Sequence, residues 1–238
     1  MYTGDPLFSQ DNFKFVNVAA HKLDDSYLQK YQVLNLIELP VFLPLGPQYA
    51  ESEAIYNIYK NKSYYQNFNF IGFLHYDREL VLNNGQRNIT EQINHHLQGR
   101  TNAHISFSTY PTRGIYDQKV LADETQPETL NGDGVNCIDY IIKDYNDYFK
   151  TNYSLSDLWQ RGWLNLDSGF LIDIATFEKM MQFCAVIIES RKLEAFDTLH
   201  RYRLPGGLLE RYYGVFLAFE YPEFLDLSLP HHRHLKFE

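Results

Sequence analysis

The sequence of 238 residues is poor in cysteine, with only Cys137 and Cys184. So few cysteines exclude a disulfide-dense secreted scaffold. Neither sits in a CxxC pair, which excludes a cysteine zinc site as well. No apolar run approaches the roughly 18 residues of a membrane span. Met1–Gln10 has neither the basic nor the apolar stretch of a secretory signal, so a cytoplasmic protein of a reducing compartment is expected. Basic residues are outnumbered 21 to 30, for a formal charge of −9. A general nucleic-acid binder needs the opposite balance, because basic surface must replace counterions; a local basic pocket for one diphosphate stays open. Also missing are GxxxxGK[ST], GxGxxG and GxSxG, which leaves P-loop, standard dinucleotide and α/β-hydrolase readings without support. The chain has no internal repeat and no low-complexity segment.

What is present is apolar and aromatic. Hydrophobic residues make up 45%, enough for a real core, and 19 Tyr and 17 Phe raise the aromatic share to 16%. Tyrosine joins a flat apolar face to a polar tip, so it suits core, interface and sugar-stacking surfaces alike. The periodicity predicts strands over Phe13–Ala20, Phe68–Tyr76, Ala103–Thr109 and Phe170–Ile174. It predicts helices over Glu51–Lys62, Val135–Tyr148, Thr176–Arg191 with Thr176 as N-cap, and Leu208–Phe219, with a short one over Asn88–Gln98. Tyr31–Leu45 carries Pro40 and Pro44 and reads as a short strand and an extended connection. Tyr110–Asp133, rich in Pro, Gly, Asp and Thr, reads as a long loop. The near-continuous apolar run Phe68–Tyr76 suits a central, parallel strand. Together these elements predict an α/β fold, one domain over residues 1–238, with helices flanking a mostly parallel sheet.

Four clusters can carry chemistry. Asp77-Arg78-Glu79 closes the strongest strand, where its carboxylates either solvate the strand end or share a Mn²⁺ or Mg²⁺ ion. His231-His232-Arg233-His234 is either a polar tail or a set of imidazoles completing such a site. Trp163–Gly169 (WLNLDSG) is either a turn before the next strand or the lining of a sugar pocket, with Asp167 and Ser168 bonding hydroxyls and Trp163 stacking on a ring. Tyr76 is the other candidate for a ligand-facing ring. Leu204–Arg211 (LPGGLLER) reads as a glycine turn into a helix. Its Glu210 and Arg211 form either a structural ion pair or, through Arg211, a fork for phosphate. Met180 and Met181 read as core filler.

The order of four runs is more informative than any one. ESEAIYNIYKN, FIGFLHYDREL, WLNLDSGFLIDIATFEKMMQFC and LPGGLLERYYGVFL together resemble a bacterial family of capsule and cell-wall polysaccharide glycosyltransferases. FVNVAAHKLDD is similar to that family's first strand and the His-Lys after it. The arrangement also looks like the small GT-A-type glycosyltransferases of chlorella viruses. One departure is the acidic Asp77-Arg78-Glu79 where the bacterial family carries a basic pair, which is closer to metal-dependent GT-A enzymes. The resemblance implies a GT-A-like nucleotide-sugar fold that moves a sugar, from a UDP-sugar by expectation, to a glycan hydroxyl; the alternatives are a metal-independent transferase and a non-catalytic carbohydrate-binding or assembly module on the same fold. It implies that Val18, Ala19, His21 and Lys22 hold the nucleotide. Asp77 and Glu79 would hold Mn²⁺ or Mg²⁺, with His231 or His232 completing the site. Asp167 and Ser168 would contact donor sugar or acceptor, and Glu210 would be a base or an acceptor ligand.

Overall fold

The computed structural model describes residues 16–17, 29–30, 33–74, 89–117, 129–130, 135–196 and 204–228. Their strands are β1 (Val16–Asn17), β2 (Leu34–Asn35), β3 (Phe70–Phe73), β4 (His104–Ser106), β5 (Thr109–Pro111), β6 (Thr129–Leu130), β7 (Val135–Asn136), β8 (Trp163–Asn165), β9 (Phe170–Asp173) and β10 (Leu225–Asp226). The helices are α1 (Glu51–Lys60), α2 (Ile89–Leu97), α3 (Thr112–Asp117), α4 (Cys137–Phe149), α5 (Leu155–Arg161), α6 (Ile174–Glu189) and α7 (Leu204–Glu220).

The largest sheet has the order β10-β4-β9-β3. It is mixed, which corrects the expectation of a mostly parallel sheet. β10 runs parallel to β4, but β9 is antiparallel to both β4 and β3. The run read as a central strand forms β3, at one edge of this sheet among the described residues. Its apolar character comes from packing against α6 rather than from strands on both sides: Phe73 meets Phe177 at 5.7 Å. Alternation then sorts the sheet into two faces. Phe170 and Ile172, with Ile71 and Phe73 opposite them, join the main core. Ile105, Leu171 and Leu225 point the other way and join Ile93 and Leu97 of α2.

Helix α7 is the core's centre. Almost every side chain from Leu204 to Phe219 is buried, so it is apolar around its circumference rather than on one stripe. It begins at Leu204, so Pro205, Gly206 and Gly207 form its first turn instead of preceding it. Helix α6 is capped by Asp173, whose Oδ1 accepts from the Thr176 N–H at 2.9 Å. That moves the expected cap three residues upstream, because Asp173 ends the strand and already supplies an acceptor to the first turn. Ser154 and Asp157 form a reciprocal capping box at α5, a helix the periodicity did not predict. Part of the expected loop after Tyr110 is β5 and α3. Met180 and Met181 are fully buried, and Cys137 and Cys184 are buried and form no disulfide.

Three tyrosines share one repeated arrangement, a phenol donating to a carboxylate that also takes a lysine. Tyr56 and Lys60 bond Glu189, and Tyr145 and Lys179 bond Glu220, at 2.7–2.8 Å. Tyr212 and Lys192 meet on Asp144. Each set ties one helix to another through groups whose polar ends are satisfied. Burial, then the neighbouring carboxylate, pushes the Tyr56 and Tyr145 phenols above their ordinary range.

A second device explains the two prolines. Glu53 and Asn57 on α1 and Asn61 at its C-cap, four residues apart, are all buried. Asn61 bonds both backbone groups of Val41, and Asn57 both of Leu43. Glu53 accepts from the N–H groups of Leu45 and Gly46. Four helical residues rise about 6 Å and two extended residues about 6.6 Å, so the two spacings match. Alternate residues Pro40, Phe42 and Pro44 donate nothing to this ladder, which is why proline is tolerated there.

Candidate functional site

The antiparallel β9 starts where β3, β4 and β10 end. Residues 106–110, 165–169 and 226–228 therefore meet at one edge of the sheet. Ligands of open α/β sheets bind beyond carboxyl ends of strands. The expected turn over Trp163–Gly169 narrows to Leu166–Gly169, because Trp163–Asn165 form β8. Gly169 donates to the Leu166 carbonyl, and Asp167 and Ser168 both take positive φ, 53° and 49°. This is the dihedral pattern of a type I′ turn, which glycine, asparagine and aspartate usually occupy. Asp167 suits its place, and holding Ser168 there costs about 1 to 2 kcal/mol.

The turn is fixed from residues 107–110. Phe107 N–H donates to Gly169, and Leu166 N–H to Ser108. The Asp167 carboxylate accepts at Oδ2 from the Ser108 hydroxyl and the Tyr110 phenol, both at 3.0 Å. Asn165 donates through Nδ2 to Ser106 Oγ at 2.6 Å and to the Gly169 carbonyl at 2.7 Å. The carbonyl can only accept, so it fixes the amide orientation. The Ser168 hydroxyl, next to Asp167, is buried with no hydrogen-bond partner. Thr109 and Asp226 complete the edge through a 3.0 Å hydrogen bond.

Helix α7 packs on β8 through Gly214 and on residues 48–49 through Gly206. A Cβ on Gly214 would lie 2.4 Å from the Asn165 carbonyl oxygen, and one on Gly206 2.9 Å from that of Tyr49. Glu210 lies between them at i+4 from Gly206, on the same face and half-buried. The helix thereby sets Glu210 one turn from the strand that leads into Asp167. Arg211 is 3% exposed, and its Nη1 donates to the Gly207 carbonyl at 2.9 Å. Trp163 is 7% exposed, with its ring 4.0 Å from that of Phe224. It belongs to the interior rather than to a ligand-facing surface. Beside it, His104 is caged by Trp163, Tyr221 and Phe224 at 5.2–5.4 Å, with neither ring nitrogen hydrogen-bonded.

Of the residues singled out in the sequence, the structure thus describes Trp163, Asp167, Ser168, Glu210 and Arg211. Val18, Ala19, His21, Lys22, Tyr76, Asp77, Glu79, His231 and His232 lie outside the described residues. Ser108, Thr109, Tyr110 and Asp226 were not singled out. The polar run Ser106–Tyr110 was the available signal for the first three, and only tertiary structure brings Asp226 to them.

No protein-family model and no curated protein matches the chain. The family resemblance therefore rests on its motifs. The fold is similar to a glycosyltransferase structure. That structure is the apo form of the bifunctional glycosyltransferase WbbM, with a TM-score of 0.52 at 11% identity over 91% of this chain. The match spans 44% of WbbM's chain. Among the described residues no helix is long and apolar enough to cross a membrane.

Proposed function

We propose that this chain transfers a sugar from a nucleotide-sugar donor, with a UDP-sugar expected, to a hydroxyl of a glycan acceptor, assisted by a divalent cation. The observation that carries the reading is the Asp167–Ser168 turn. It sets a hydroxyl-braced carboxylate beside a serine in the left-handed region at the sheet's carboxyl edge, in a fold similar to that of a glycosyltransferase. A carboxylate with a neighbouring hydroxyl is suited to holding sugar hydroxyls, and Asp167 and Ser168 take that role. Bracing from Ser108 and Tyr110 means that little ordering is needed when the sugar arrives. Glu210 would take the proton of the attacking acceptor hydroxyl in an inverting transfer, as the bond between sugar and diphosphate breaks. Arg211, buried against Gly207, would act on the donor through its charge rather than by contact.

The nucleotide is assigned to Val18, Ala19, His21, Lys22 and Tyr76. The cation is assigned to Asp77 and Glu79, with His231 or His232. Among the described residues no group of three or more His, Cys, Asp or Glu could hold a metal ion. The assigned residues nevertheless form a suitable donor set, since two carboxylates with imidazole suit Mn²⁺ or Mg²⁺. A bound cation would neutralise charge gathering on the departing diphosphate.

Calorimetry with UDP, with and without Mn²⁺, tests the reading. UDP is expected to bind, and more tightly with Mn²⁺. Absence of binding in both conditions refutes the transferase, and binding indifferent to Mn²⁺ removes the cation from it. Asp167→Asn should lower turnover of the UDP-sugar by about ten-fold or more, the effect of losing one charged hydrogen bond to substrate. Unchanged turnover would take Asp167 out of the site.

A further inference from the structure

Two carboxylates from distant parts of the chain are held by consecutive hydroxyl residues. Ser108 donates to Asp167, and Thr109 donates to Asp226. Asp226 ends β10, parallel to β4, so it stands at the same carboxyl edge as the Asp167 turn. Three donors converge on one of its oxygens: Thr109 Oγ1 at 3.0 Å, the Ser228 N–H at 2.9 Å and Ser228 Oγ at 2.6 Å. All of them bond Oδ1, which immobilises the carboxylate and leaves these bonds off Oδ2. The residue is exposed.

Proton bookkeeping joins the two acids in one frame. Ser106 Oγ accepts from Asn165 Nδ2 at 2.6 Å and from the Ser108 N–H at 3.3 Å, so both its lone pairs are engaged. Its own proton therefore goes to Thr109 Oγ1, 2.9 Å away, and the Thr109 proton goes to Asp226. The far end of the chain is Asn165, which also donates to Gly169, the residue closing the Asp167 turn. A surface acid held only by solvent would need no such relay. At the same edge the Ser168 hydroxyl is buried with no hydrogen-bond partner, an unmet need for a polar neighbour.

We infer that Asp226 is a second sugar-binding residue. Its Oδ2 accepts a hydroxyl of a neutral carbohydrate that Asp167 and Ser168 hold from the other side. Two carboxylates at one sheet edge repel phosphate and accept from hydroxyls, so the ligand class is a sugar ring and not the diphosphate. The inference rests on the glycosyl-transfer reading, and it also locates where the sugar sits.

The test uses saturation-transfer NMR on the full chain with the methyl glycosides of glucose, galactose, mannose and rhamnose, and parallel UDP calorimetry. At least one glycoside should receive saturation from the wild-type protein. Asp226→Asn, which turns the open acceptor into a donor, should cut that signal about ten-fold or more, the worth of one charge-assisted hydrogen bond. Thr109→Val, which removes one of the three anchors, should cut it less. UDP binding should be unchanged in both variants, which also verifies folding. Wild-type-like binding by Asp226→Asn overturns the inference, as does a protein that binds UDP but none of the glycosides. A protein that binds glycosides through Asp226 but never UDP upholds the sugar site and overturns the transferase.

Discussion

His104 makes stability depend on pH in a calculable way. It sits on the central strand β4 at 1% exposure, inside three aromatic rings. Burial, with a smaller contribution from His96, pushes its imidazole down to about 3. The unfolded chain binds a proton there near pH 6.5, and the folded chain does not until about pH 3. The folded-state pKa is the lower of the two, so the stabilisation is complete above pH 6.5. It drains away as the pH falls toward 3, because acid favours the unfolded state. Each pH unit inside that window costs about 1.4 kcal/mol, so moving from pH 7 to pH 5 removes about 2 kcal/mol. His104→Phe keeps an aromatic ring in the cage and removes the titration. Urea unfolding at pH 7 and pH 5 should show the wild-type protein losing about 2 kcal/mol more than His104→Phe. Equal losses in the two proteins would mean that water reaches the imidazole and that the dry cage is wrong.

Two other variants probe the packing. Gly214→Ala places a methyl group 2.4 Å from the Asn165 carbonyl oxygen, where only backbone can yield. It should destabilise by about 1 to 3 kcal/mol despite its better helix propensity, whereas Gly114→Ala, with 3.9 Å of clearance, should not; equal melting temperatures for the two would refute the close contact. Asn57→Ala deletes three hydrogen bonds, to Leu43 N–H, Leu43 C=O and Glu53 C=O. It should cost about 2 to 3 kcal/mol and speed hydrogen exchange at the Leu43 amide, and an unchanged exchange rate would dismiss the ladder.

The sequence announces what is local. Ile138, Ile141 and Ile142 repeat at helical spacing and form the buried face of α4. FLIDI contains β9, and Asp-Ser-Gly closes a turn, as the residue types suggest. What stays hidden is pairing. Asp226 meets Thr109 across 117 residues, and a two-residue strand such as β10 has no periodicity to read. β3 looks central because its burial comes from helix α6, and apolarity does not record which kind of element supplies the cover. Tyrosine's role was equally hidden, since it depends on partners such as Glu189, 133 residues from Tyr56. Glu210 and Asp167 were readable as candidates, but the glycine contact that sets α7 against β8 is a matter of interatomic distance.

The ladder between α1 and residues 41–46 also imposes a rule of parity on the chain. Odd-numbered residues supply the rungs at Val41, Leu43 and Leu45, and the even-numbered Pro44 has no N–H to offer. Inserting a single residue between Val41 and Pro44 would bring Pro44 opposite Glu53 and deprive that buried carboxylate of a donor. Inserting two would preserve the phase. Length variation in this segment should therefore be tolerated in steps of two.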